Sequence, residues 1–208
     1  MNKYIEDLEE FIGVRKGFFQ DAQMDDDWTM IIKLFSLFEA VTAVMIVEEL
    51  NRPELLDPIT SIQMGTTNNG KIAFVKSLQL LPDSYIKYIE MLGWLRNKFA
   101  HNISSSSHDL KDFLETISTK RRKECQKYLH RIKSTVVNED EISGNEFFND
   151  NPKIAIFLTG QQVLEYMRQR IITGQQAGRI RKQQAKEYIE ENGPIKISAY
   201  EFQLEKIR

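Results

Sequence analysis

Apolar residues recur at intervals of three and four along most of the chain, the spacing of a single helix face. Ile5, Leu8, Phe11 and Ile12 predict an amphipathic helix over 3–20, with Gly13 and Gly17 weakening it from within. At Trp28 the pattern changes. As far as Leu50 the chain is apolar almost all round, its polar stripe reduced to Thr29, Lys33 and Ser36. So narrow a wet face places that helix in the middle of a bundle. Asp25-Asp26-Asp27 ahead of it supplies an N-cap and charge suited to the helix dipole. Lys33, Glu39, Glu48 and Glu49 interrupt the run, and a membrane span needs roughly 20 mostly apolar residues. A buried core helix with no membrane contact is therefore expected.

Downstream, Arg52-Pro53 ends that helix, and Pro58, Gly65 and Asn68-Asn69-Gly70 predict a long loop. A short helix over 71–81 follows. Pro82-Asp83 separates it from a helix over 84–102, in which Tyr85, Ile89, Leu92, Leu95 and Phe99 form the buried face. Ser104 to Ser107 is a polar loop, and Ser106 with Asp109 has the spacing of a capping box. Leu110, Phe113, Leu114, Ile117, Cys125, Tyr128, Leu129, Ile132 and Val136 predict one long helix. Residues 138–151 turn acidic and turn-rich. Pro152 suits a first helical position and opens helices over 152–172 and 175–191, divided near Gly174. Ile195-Lys196-Ile197 alternates, as a short strand or a docked tail would. The expected architecture is all-α: a four- to five-helix bundle over 1–137, an acidic linker over 138–151 and a C-terminal helical extension over 152–208.

Composition narrows the function classes. The 208 residues are 41% hydrophobic and 28% charged with a net charge of −2, an ordinary globular balance that advertises no whole-molecule attraction to nucleic acid or anionic membrane. Cys125 is the one cysteine, which fits a reducing cytoplasm and forbids an internal disulfide or a thiolate cluster. Acids near the start occupy positions where a signal peptide carries its apolar run. His101, His108 and His130 have no metal-ligand spacing, and neither a Walker loop nor a Gly-rich dinucleotide turn is present. Neither a metal nor another cofactor is expected.

One polar cluster remains, Trp94-Leu95-Arg96-Asn97-Lys98-Phe99-Ala100-His101-Asn102. On a helix, Asn97 and His101 stack one turn apart on one face. Arg96 lies about 100° round, close enough for its long stem to reach that face. Imidazole can exchange a proton with a ribose hydroxyl or a leaving oxygen near neutrality, and guanidinium offers a fork of donors to a charged phosphorus species. The same residues would also serve a plain helix end: a cation complements the dipole, and Asn tolerates a left-handed cap. Glu39 drifts off the polar stripe of its helix and is placed to meet Arg96, as architecture or as support for the site. The run 120–123 is either a phosphate-binding patch or a solvated helix face. Between 168 and 186, Arg168, Arg170, Arg179, Arg181, Lys182 and Lys186 occur without an acid, which is either the strongest electrostatic footprint for nucleic acid in the chain or a partner-binding or self-docking helix.

The segment 71–81, followed by a helix closing in Leu95-Arg96-Asn97-Lys98-Phe99-Ala100-His101, resembles the HEPN superfamily of helical domains, and most of all the branch of the mannitol operon repressor. The resemblance covers roughly 28–137. It implies a bundle of four or five helices, a homodimer, and, where members are ribonucleases, catalysis without metal at a cleft between protomers. In that case Arg96 would stabilise the phosphate, Asn97 would be the polar residue following it, and His101 would be the acid and base, leaving a cyclic phosphate on RNA. The partners expected beyond a second copy are RNA, or a protein partner or antitoxin. The alternative is a non-catalytic regulatory or interaction protein of the mannitol operon repressor type, and a third reading is a DNA-binding repressor acting through 168–186.

Overall fold

The computed structural model of the protein describes residues 2–66, 68–101, 109–129, 134–137 and 140–192. Helix α1 (Lys3–Phe11) and helix α2 (Phe18–Met24) replace the single helix expected over 3–20. The break is glycine's: Gly13 and Gly17 both adopt positive φ, a conformation other residues reach at a cost. The buried Glu9 carboxylate bridges the two pieces by accepting 2.6 Å hydrogen bonds from the backbone N–H groups of Gly17 and Phe19.

Helix α3 (Asp27–Leu50) is the axis of the fold. Asp26 caps it by accepting from the Thr29 N–H and hydroxyl, and these bonds hold the Asp26 carboxyl below its ordinary pKa. Asn51 closes it in the left-handed conformation. By length and hydropathy α3 would pass as a membrane span. Here Met30, Ile31, Leu34, Phe38, Val41, Met45 and Ile46 are all buried in one core, each contributing about 1.5–3 kcal/mol. That core is the reason this helix carries so few polar positions.

A 3-10 turn (Pro53–Leu55) leads to helix α4 (Leu56–Ser61), a short element inside what the sequence presents as loop. Helix α5 (Gly70–Ser77) and helix α6 (Asp83–His101) follow, the latter starting where Pro82-Asp83 predicts. The expected long helix over 110–136 is instead helix α7 (Leu110–Thr116), helix α8 (Thr119–Tyr128) and the first strand of a hairpin. Ser118 accounts for the interruption, since its hydroxyl accepts from the Arg121 N–H and starts a new helix. Asp109, not Ser106, caps α7, and Ser106 lies outside the described residues. Strands β1 (Ser134–Val137) and β2 (Asp140–Ser143) pair antiparallel, Ser134 opposite Ser143, and lead into helix α9 (Gly144–Asp150).

Helix α10 (Pro152–Asn192) runs unbroken for 41 residues, correcting the division expected at Gly174. The glycines serve close approach, not termination. A Cβ on Gly174 would sit 3.3 Å from the Glu48 backbone, and one on Gly178 would sit 2.8 Å from Asn51 Oδ1. Asp27 meets Lys153, Leu34 meets Gly160 and Glu48 meets Gly174 at one constant separation along the chain, so α3 and α10 lie parallel. Ala155, Phe157, Val163, Leu164, Met167 and Ile171 join the same core as α3 and α6. Residues 152–171 are thus a wall of the bundle, and the region expected as a linker supplies the second strand of the hairpin and helix α9. The fold is all-α apart from that hairpin. Ile195-Lys196-Ile197 lies outside the described residues.

Candidate functional site

Two faces of α6 diverge in chemistry. Ile86, Ile89, Leu92, Leu95 and Phe99 are buried, with Tyr88 donating a 2.8 Å hydrogen bond to the Ile156 carbonyl. At its C-terminal turn, the Trp28 indole N–H donates to the Phe99 carbonyl at 3.0 Å, satisfying a group that a helix end leaves open. The other face, with Glu90, Gly93, Trp94, Arg96 and Asn97, walls a cleft of about 780 Å³. Phe35 and Glu39, one turn apart on α3, form the opposite wall together with Ile72 and the turn containing Gln63, Met64, Gly65, Thr66 and Asn69.

Gly93 makes room for the Phe35 ring, because a Cβ there would stand 2.9 Å from its Cε2. The Arg96 guanidinium lies 5.8 Å from the centre of that ring and donates a 3.0 Å hydrogen bond to Asn97 Oδ1. Ring and amide together restrict a side chain that would otherwise sweep freely. Because the Asn97 oxygen accepts from Arg96, its NH₂ is the part left to face outward. His101 follows Asn97 by four residues in the last turn of α6, and its side chain lies outside the described residues, as do His108 and His130.

Glu39 does not meet Arg96. Its carboxylate pairs at 3.4 Å with the Lys71 ammonium, which also donates to the Thr60 carbonyl at 3.1 Å. Lys71 is 1% exposed while Glu39 is 37% exposed, so a buried cation neutralises a carboxylate whose body stays at the cleft. Glu90 is engaged by Lys87 at 2.6 Å, which in turn raises the Lys87 pKa. Both carboxylates of the cleft thus carry their own cations, whereas Arg96 has no ion-pair partner among the described residues. The outcome is one uncompensated positive charge, fixed in direction, at the mouth of a cleft.

The basic residues of α10 divide into two groups. Arg168 pairs with Asp7 at 3.4 Å and lies 5.1 Å from the Tyr4 ring. Arg170 pairs with Glu49 at 3.1 Å, and Arg181 donates to the Glu49 carbonyl at 3.4 Å. These three fasten α10 to α1 and α3, as a self-docking helix does. Arg179 and Lys182 are exposed, and Lys186 forms an exposed pair with Glu190. Burial pushes the Cys125 thiol up to about 11, which keeps it protonated near neutral pH. Among the described residues no three His, Cys, Asp or Glu side chains are gathered as metal ligands.

Sequence reasoning finds Arg96 and Asn97 but not Lys71, Phe35 or Gly93. Phe35 was within reach, since its four-residue spacing from Glu39 puts both on one stripe of α3. Lys71 was not, because nothing local marks a lysine at the start of a short helix as buried. Comparisons with protein-family models, with curated proteins and with solved structures found no match.

Proposed function

We propose that the cleft between α3 and α6 binds the phosphate backbone of RNA, and that this HEPN-like chain is a metal-independent endoribonuclease working in the cytoplasm as a homodimer. The observation that supports it is the uncompensated guanidinium of Arg96, aimed by Asn97 and Phe35 into the cleft while Glu39 and Glu90 are neutralised by Lys71 and Lys87. A site with spare positive charge selects an anion, and a planar fork of donors suits phosphate. In the cleavage step the imidazole of His101 takes the proton of a ribose 2′-hydroxyl. The 2′-oxygen bonds to phosphorus as the bond to the 5′-oxygen breaks. The leaving oxygen receives a proton from the matching imidazole of a second copy. Arg96 holds the charge that builds on the phosphoryl oxygens, and a 2′,3′-cyclic phosphate remains.

A second reading, a non-catalytic interaction protein, draws on the end of α10, where Ile180 and Ile189 are exposed as protein-binding surfaces often are. The two readings separate on turnover. Labelled single-stranded RNA incubated with the full chain in EDTA should give fragments ending in cyclic phosphate. Arg96→Ala and His101→Ala should each slow cleavage by about 100-fold or more with unchanged circular dichroism. No cleavage by the unaltered protein, or cleavage indifferent to both substitutions, would remove the enzyme reading.

A further inference from the structure

Helix α8 carries Lys120, Arg121, Arg122, Lys123 and Lys127 against a single acid, Glu124. The fold sorts these cations by direction. Arg121 turns inward: its guanidinium stacks 4.4 Å from the centre of the Trp94 ring and pairs with Glu124 at 2.8 Å. With Cys125 and Leu129 buried, it belongs to the face of α8 that docks on α6. Lys120, Lys123 and Lys127 lie on the opposite side. At about 100° per residue they fall within an arc of roughly 60°, and at about 1.5 Å rise they are spaced by about 4.5 and 6 Å. All three are exposed and have no ion-pair partner among the described residues.

The stripe is also anchored in place. Trp94, the ring that Arg121 covers, is itself a wall of the cleft. Lys120 therefore starts one residue from the contact that fixes α8 to the cleft's edge. A lone row of lysines would be an ordinary solvated face. This one begins beside the residue that fixes α8 to Trp94, a wall of the same cleft that Arg96 lines.

We infer that Lys120, Lys123 and Lys127 form a track for the phosphates of a single-stranded RNA whose reacting nucleotide lies at Arg96. The inference rests on the reading of the cleft as an RNA site and adds how the strand runs away from it. Such contacts are electrostatic and independent of sequence, so they set affinity and its response to salt, leaving the chemical step to the cleft. No aromatic side chain lies between the three lysines, so the track follows the backbone without stacking on bases.

The test is binding of a labelled 12-nucleotide RNA to the full chain by fluorescence anisotropy across a range of NaCl, with cleavage followed alongside. Changing Lys120, Lys123 and Lys127 together to Gln should weaken binding about tenfold or more and flatten the slope of log K against log salt by about 2, since each phosphate neutralised on a single strand adds about 0.7 to that slope. The cleavage rate at saturating RNA should change less than threefold. Arg96→Ala should do the reverse, abolishing cleavage while keeping most of the slope. An unchanged salt slope in the triple variant overturns the track and leaves the cleft reading standing. Absence of RNA binding by the unaltered protein overturns both. Polyglutamate of matched length competing as well as RNA overturns the track in favour of an acidic protein partner.

Discussion

Helix α3 treats two of its neighbours in opposite ways. Toward α10 it offers Leu34 and the bare backbone of Glu48, and receives Gly160 and Gly174 in return, so the two helices close to direct contact. Toward α6 it offers Phe35 and Glu39 and leaves a cleft of about 780 Å³. The first contact sets small residues against a leucine and bare backbone, flanked by the Asp27–Lys153 and Glu49–Arg170 ion pairs. The second keeps its polar groups, each held by a specific partner at the price of looser packing. One helix supplies the rigid seam that stabilises the bundle and the open wall that gives it a site.

The comparison can be broken at the seam first. Gly174→Val would force a branched side chain against the backbone of Glu48 and Glu49, where no flexible group can give way. A loss of about 2–3 kcal/mol in urea unfolding is expected, with the proposed RNA cleavage unaffected at low temperature. A loss smaller than that of Gly174→Ala would contradict the parallel contact of α3 with α10.

Lys71 is next, and here the two kinds of wall meet. Lys71→Ala removes a buried stem and the donor to the Thr60 carbonyl, so about 2 kcal/mol of stability should go. Lys71→Met fills the space but removes both the charge and the donor to the Thr60 carbonyl. Its stability should fall less than that of Lys71→Ala, because the packing is kept and the Glu39 carboxylate is exposed enough to turn to water. Its anion affinity should fall several-fold, since a freed Glu39 would then oppose or capture Arg96. Urea unfolding of the two variants reports the packing, and the fall in anion affinity that they share reports the charge.

The smallest effect belongs to the end of α6. Trp28→Phe keeps an aromatic ring and deletes the hydrogen bond to the Phe99 carbonyl, costing about 1 kcal/mol. Amide exchange should quicken in the last turn of α6, leaving the seam unaffected.

What the sequence reveals of this molecule is what local chemistry decides. Asp26 caps α3, Pro82-Asp83 starts α6 and Pro152 starts α10 because capping and proline act over three or four residues. Gly174 reads as a breaker by the same local rules, and the structure makes it a contact instead. Its small size is needed against a helix far away in sequence, and that need outweighs the roughly 1 kcal/mol that a helical glycine costs. The apolar positions after Leu110 suggest one helix because periodicity alone does not register the Ser118 hydroxyl as a new start. In the site, Arg96 and Asn97 are legible as neighbours on one turn. The Glu39–Lys71 pair joins residues 32 apart and depends on tertiary packing that no window of sequence contains.

The parallel seam of α3 with α10 also sets an order of events during synthesis. A ribosome adding about 5–20 residues per second reaches Gly174 on the order of ten seconds after Glu48. Throughout that interval the most water-averse segment of the chain waits for its cover. Its safe passage falls to α2, α6 and whatever holdase chaperone greets the nascent polypeptide, and a ribosome stalled before the final helix would release a product prone to aggregate.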